Sequence, residues 1–238
     1  RQMCISDSHG RDYLHNHAPK FYSQWDNSVL PSDEFMKISK GDNFGWPYCY
    51  YDQIKGKKVL GPEYGGDGDL IGRCKNYKNP EIGFPGHWAP NDLVFYTGDD
   101  FPTRYKNGAF IAFHGSTNRA PYPQSSYFVA FIPFKNGKPT GEYEIFADGF
   151  AQIDPIASVD DAEYRPMGIA FSPKGGMFIG DTEKGRIWKI EFNRKWDLIK
   201  KQGFDLTFKR MWEFYLSYCE AGFKSKNIDL IQFSLQNK

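Results

Sequence analysis

The sequence predicts an all-β fold of short strands joined by long, ordered loops. Three observations predict it. Short apolar runs recur at even spacing between turn signals up to about residue 193. Aromatic residues make up 18% of the 238 positions, beside 24 glycines and 15 prolines, a mix suited to strands and irregular turns rather than to a helical bundle. No segment of helical period interrupts those runs, which excludes an alternating βαβ sheet.

Taken in order, residues 10 to 90 read as loop-rich, with many Asp, Gly, Pro and Tyr residues. Loops that long in a compact domain carry function or are disordered; Trp46, Tyr48, Tyr50, Tyr51, Tyr64 and Trp88 argue for order. Strand-like runs follow at Asp92–Thr97, Gly108–Phe113, Tyr127–Phe134 and Tyr143–Ala147, then at Met167–Phe171, Gly176–Gly180 and Arg186–Phe192. The segments Lys135–Pro139 and Ser172–Gly176 have hairpin chemistry. Such a series fits a barrel, a sandwich or a propeller. Beyond residue 193 the period changes. Phe204, Phe208, Met211, Trp212, Tyr215, Cys219 and Phe223 form one helical face, with Asp205 as N-cap and Gly222 near its stop. Trp196, Ile199 and Gly203 suggest a shorter helix before it, and Ile231, Phe233 and Leu235 a final strand.

Charge is balanced, with 30 Lys+Arg against 29 Asp+Glu, so no overall field draws the chain to nucleic acid. No apolar run is long enough to span a membrane, and no signal peptide opens the sequence. The start, Arg1-Gln2-Met3 running into an apolar stretch, reads as a beginning inside a fold. The four cysteines include no CxxC pair, which argues against a zinc site. Cys49 and Cys74 would close a disulfide in an exported protein and would otherwise be reduced, half-buried thiols.

The segment Gly41–Asp52 (GDNFGWPYCYYD) reads on its own as a glycine turn carrying an aromatic-proline corner. It also resembles a signature of the PQQ-dependent glucose/sorbosone dehydrogenases, where PQQ is pyrroloquinoline quinone. So do His9–Asp12, Gly61–Cys74, His87–Asp92, His114–Arg119, Phe146–Phe150, Tyr164–Pro166, and Asp181-Thr182 before Gly185–Trp188. The likeness covers roughly residues 4–192 in the expected order. It implies the C-terminal blades of a six-bladed β-propeller, residues 1–192, that holds PQQ and calcium and oxidises an aldose or sorbosone-like sugar. Electrons would pass on to an acceptor. The parent protein would be periplasmic or secreted.

PQQ bears three carboxylates, which guanidinium forks grip bidentately. The resemblance places Arg119, Arg165, Asp181, His114 and Trp88 at the cofactor. It places the backbone carbonyls of Gly10 and Arg11 at a calcium ion that polarises the quinone. Asp33, Glu34 and Asp52 resemble a second, structural calcium site found in one branch, where Glu34 and Asp52 would supply hard oxygen ligands. The blander readings are a solvated surface arginine, a turn aspartate at 181 and a hydrogen-bonded structural histidine at 114.

The sequence departs from the family in three ways. The family's base histidine lies in an early blade, and none of the five histidines matches it, so no catalytic residue is assigned in this chain. Thr117 stands where the family commonly has Trp. Residues 193–238, through Met211–Leu216, Tyr218–Glu220, Gly222-Phe223 and Gln232-Phe233, resemble the C-terminus of cyclopropane-fatty-acid synthases. The S-adenosylmethionine loop of those enzymes has no counterpart here, so methyl transfer is a remote expectation. A non-catalytic propeller fragment that binds carbohydrate or protein is the main alternative. A partial ring would leave strand edges open to self-association.

Overall fold

The computed structural model describes residues 2–6, 13–173, 175–191, 201–208, 210, 211 and 214. The chain divides into two compact units, Arg1–Phe192 and Asn193–Lys238. The first is mostly sheet. Its two α-helices, α1 (Leu14–His17) and α2 (Gln24–Asn27), have four residues each.

Strands β1 (Gln2–Ser6), β2 (Asp33–Ile38), β3 (Cys49–Asp52), β4 (Lys57–Leu60) and β5 (Ile82–Phe84) come first. They form a three-stranded sheet of order β1-β2-β5 and the separate hairpin β3-β4. The loop-rich reading of residues 10 to 90 overlooked β2 to β5. Their polar residues hide the alternation: buried Lys58 on β4 pairs with Glu34 on β2, and buried Asp52 ends β3.

Strands β6 (Pro90–Phe95), β7 (Ala109–His114) and β8 (Tyr127–Ile132) follow. After them come the short pair β9 (Phe134–Lys135) and β10 (Lys138–Pro139), then β11 (Glu144–Ala147). Order β11-β8-β7-β6 makes an antiparallel four-stranded sheet. Strands β12 (Pro166–Phe171), β13 (Met177–Asp181) and β14 (Ile187–Ile190) close the series as a third antiparallel sheet.

The four-stranded sheet is covered on both faces, which is why β7, up to His114 at its end, and β8 are apolar or aromatic without interruption. Ala109, Ile111 and Phe113 of β7, with Phe128, Ala130 and Ile132 of β8, pack on Phe35, Ile82 and Phe84 of the first sheet. Phe110, Ala112, Val129 and Phe131 point the other way, onto Ile169, Met177 and Ile179 of the third sheet. Side chains alternate strictly along each strand, so neighbouring residues serve different cores. Three sheets are thereby stacked face to face.

A third cluster sits under the hairpin β3-β4, where Leu14, Tyr22, Leu30, Tyr50 and Val59 meet. Cys49 and Cys74 are joined by a disulfide that ties the loop after β4 to β3. In the second unit, Asp205 Oδ1 accepts from Phe208 N at 2.9 Å where a helical run opens at Leu206, as an N-cap does. The expectations for Trp196, Ile199, Trp212, Tyr215, Cys219, Gly222, Phe223 and the final strand lie outside the described residues.

Candidate functional site

The stacking brings the C-terminal ends of β7 and β13 to the same end as the N-terminal ends of β6 and β12. His114 ends β7, Asp181 ends β13, and Arg165 precedes β12. The three meet there. Arg165 Nε donates to His114 O at 3.1 Å and its Nη2 to Gly115 O at 3.0 Å. Its backbone N–H donates to Asp181 Oδ1 at 2.7 Å. Nη1 lies 3.7 Å from Glu183 Oε1, and the guanidinium sits 5.6 Å from the centre of the Tyr127 ring.

Asp181 is a turn-forming carboxylate as well as a site residue. It accepts from Glu183 N at 3.1 Å and Lys184 N at 2.7 Å. Burial pushes its carboxyl up, but the backbone donors around it outweigh that and hold it below the usual carboxylate range. His114 Nε2 lies 2.8 Å from Thr182 Oγ1. Burial, with the Arg165 guanidinium beside it, lowers this imidazole to about 4 against the opposing pull of Asp181. It is therefore neutral at pH 7 and keeps one ring nitrogen as an acceptor.

Beside these residues a hollow of about 380 Å³ is lined by Asn91, Asp92, Met167, Gly168, Gly180, Asp181 and Thr182. Gly168 and Gly180 leave it open, since a Cβ at either would meet nothing nearer than 4.0 Å. Asp92 Oδ2 accepts from Ile169 N at 2.7 Å and so ties the middle sheet to the third at the rim of this hollow.

Trp88 serves this end through its backbone. Its carbonyl accepts from Gly115 N at 3.2 Å, and that of Ala89 accepts from His114 N at 2.9 Å. Its indole is buried among Phe84, Phe113, Phe128 and Tyr143, with ring centroids 5.3–6.1 Å away, rather than facing the hollow. His87 (φ 69°) and Ala89 (φ 53°) flank it in the left-handed region, a costly geometry held by His87 Nε2 donating to Asn27 O and by Ala89 N donating to buried Asp33.

Arg119 stands apart from this group. Its guanidinium lies 5.2 Å from the centre of the Tyr122 ring, and Nη1 donates to Pro123 O at 2.9 Å. No hydrogen bond or ion pair joins it to Arg165, His114 or Asp181 among the described residues. Arg119 and Arg165 are thus held by different partners, Arg119 by Tyr122 and Pro123, Arg165 by His114 and Gly115.

At the expected second calcium site, Glu34 is ion-paired with Lys58 at 3.1 Å. Asp52 Oδ1 accepts from Ile54 N and Lys55 N, capping the β3–β4 turn. Among the described residues, no group of three His, Cys, Asp or Glu side chains could hold a metal ion. Gly10 and Arg11 lie outside the described residues. The sequence motifs include Thr182 without a role for it and give none to Glu183 or Tyr127. The first two follow Asp181 directly, and that contiguity was the available signal.

The family model described as TrAA12-like matches residues 19–193. The chain belongs to the TrAA12-like family. In fold, this TrAA12-like chain is similar to the calcium structure of Trichoderma reesei Carbohydrate-Active Enzymes Family AA12. The TM-score is 0.50 and the identity 23%, over 67% of this chain and 42% of that one. It is 28% identical over 169 residues to an uncharacterized protein of Borreliella burgdorferi, which is 69% of this chain and 40% of that protein. A stretch of 54 residues is 46% identical to the tuberculostearic acid methyltransferase UfaA1 of Mycobacterium tuberculosis, 23% of this chain and 13% of that protein. The TrAA12-like chain thus spans well under half the length of each of these proteins.

Proposed function

We propose that the first unit is a segment of a six-bladed β-propeller oxidoreductase that oxidises an aldose or sorbosone-like sugar with PQQ as acceptor. The observation that carries this reading is the meeting of Arg165, His114 and Asp181 beside a glycine-floored hollow at one end of three stacked sheets. Membership of the TrAA12-like family supports it.

Two features favour a flat anionic ring: Arg165, bonded through its backbone to the lining residue Asp181, supplies a cation behind the wall of the hollow, and two glycines keep the hollow clear. The carboxylates of Asp92 and Asp181 in the lining oppose it. PQQ, when bound, supplies a two-electron acceptor. Arg165 would hold a carboxylate of it, because a planar guanidinium already fixed by two carbonyls loses little freedom on binding an anion. Neutral His114 presents acceptor capacity next to the Thr182 hydroxyl. Asp181 keeps the Arg165 backbone and the Thr182–Lys184 turn in register. The described residues do not fit calcium, and no step is drawn through it. The Cys49–Cys74 disulfide supports a periplasmic or secreted parent protein, since such bonds persist in oxidising compartments. Methyl transfer is not proposed, because the methyltransferase likeness spans 13% of that protein.

The test is a titration of the chain with PQQ, followed by tryptophan fluorescence and equilibrium dialysis. We expect saturable binding that Arg165→Ala weakens by at least about ten-fold and Arg165→Lys by less, the ammonium keeping charge without the fork. Absence of binding, or equal binding by Arg165→Ala, would overturn the reading. Dye-linked oxidation of aldoses by the PQQ-loaded chain then reports turnover.

A further inference from the structure

Two aromatic side chains from distant parts of the sequence meet in the open near the candidate site. Trp25, on α2, and Tyr122, in the loop between β7 and β8, lie with ring centroids 4.6 Å apart at 68°. They are 52% and 41% exposed, so the pair faces water instead of filling a core. Single exposed aromatics are ordinary; a contacting pair held in place by both of its segments is not.

Both segments are fixed. Ser23 and Asp26 form a capping box that sets the first turn of α2, and Ser28 Oγ donates to Trp25 O at 2.7 Å. The Tyr122 loop is latched by Ser116 N donating to Ser125 O and by Gln124 pairing with Ile156. Arg119, half-buried, lies against Tyr122 and makes one hydrogen bond, to Pro123 O. Its Nε is buried without a partner among the described residues. A guanidinium has five N–H donors, so most of this one's capacity is unspent.

The pair lies at the same end of the stack as the candidate site. The Tyr122 loop starts directly after His114, and Asn27, two residues beyond Trp25, accepts from His87 in the segment whose next residue accepts from Gly115. An aromatic face and the remaining Nη donors of Arg119, its Nε being buried, together match one kind of ligand. A pyranose with equatorial hydroxyls presents electron-poor C–H bonds on its flat faces and hydroxyl oxygens around its rim. The faces suit the electron-rich π surface, and the oxygens suit the guanidinium.

We infer that Trp25, Tyr122 and Arg119 form a subsite for an additional pyranose ring, so that this chain's ligand is an oligosaccharide of pyranoses with equatorial hydroxyls rather than a free monosaccharide. The assignment of that ligand as a substrate rests on the proposed oxidoreductase; the binding itself does not. It also gives a role to Arg119, which is bonded to Pro123 and not to the Arg165 group.

The test is calorimetric titration of the full chain with glucose and with the β-1,4-linked glucose tetramer, no PQQ being added. We expect the tetramer to bind at least about ten-fold tighter than glucose, with Trp25→Ala and Tyr122→Ala each removing most of that gain. Trp25→Tyr, which keeps a ring, should retain most of it, and thermal melts would check that each variant is folded. Equal affinity for tetramer and glucose, or a gain that survives Trp25→Ala, would overturn the inference. Tetramer binding intact in a chain that never binds PQQ would remove the oxidoreductase reading and leave the subsite standing.

Discussion

His114 and the Lys58–Glu34 pair show how single buried groups set the conditions under which this fold persists. The His114 imidazole is lowered from about 6.5 to about 4 in the folded chain by burial and by Arg165. A depressed folded value means that the unfolded chain takes up a proton where the folded chain does not. The stability that His114 lends is therefore complete above pH 6.5 and is lost as pH falls towards 4. Allowing for its partial exposure, the loss is about 1–3 kcal/mol. Urea midpoints at pH 4.5, 5.5 and 7 would measure it, and His114→Asn should flatten the slope in that window relative to the unaltered chain. At Lys58 and Glu34, burial pushes the ammonium down and the carboxyl up, while each counters the other's shift. Glu34→Gln leaves a cation with 2% of its side chain exposed and no countercharge 3.1 Å away. That should cost about 3–5 kcal/mol, whereas Lys58→Met with Glu34→Leu should come close to neutral. Equal urea midpoints for Glu34→Gln and the unaltered chain would contradict this account.

Elements differ in how openly their sequences announce them. Strands β7 and β8 are covered on both faces, so every position but the terminal His114 is apolar or aromatic, and the runs Gly108–Phe113 and Tyr127–Phe134 matched them within two residues. The third sheet was equally legible, because Gly175-Gly176 and Gly185 punctuate it. Strands β2 to β5 were not, since their burial is completed by charged pairs and by a covalent tie instead of by alternating apolar residues. The site was legible in part. Arg165, His114 and Asp181 converge because three strand ends do, whereas the setting of Arg119 depends on Tyr122 and Pro123, which no strand pattern predicts. The covalent tie supports its own prediction. Cys49 and Cys74 close a loop of 25 residues, and the loss of chain entropy in the unfolded state is then worth about 3.5 kcal/mol. Cys49→Ala with Cys74→Ala should lower stability by that order. The loop Gly61–Cys74 should exchange its amide hydrogens faster, while β7 and β8 keep their protection relative to the rest of the fold.

At the scale of the whole molecule, the stack has one sheet buried on both faces and two flanking sheets that are each packed on one side by it. A flanking sheet needs something to limit its free edge, since unpaired N–H and C=O groups invite another chain. Strand β14 is the last in its sheet's order, and Ile187 on it is 69% exposed. Its other partly covered residues, Trp188 and Ile190, support the core through the opposite face. Ile187 leaves an exposed apolar residue on this terminal strand, beside Lys189, whose charge on the same face is countered by Glu191 at 2.6 Å. We therefore expect the chain to self-associate through β14, with a weight-average mass that rises with concentration in sedimentation equilibrium. Ile187→Lys places a charge on that edge without touching the core, so it should shift the association to at least about ten-fold higher concentration and leave the melting temperature unchanged. Ile145→Lys supplies the contrast. Ile145 is 56% exposed on β11, the terminal strand of the central sheet, and the same charge there should leave the association as it was. A mass that stays constant with concentration, or one that responds to Ile145→Lys and not to Ile187→Lys, would show that the exposed strand at the end of the stack is not where chains meet.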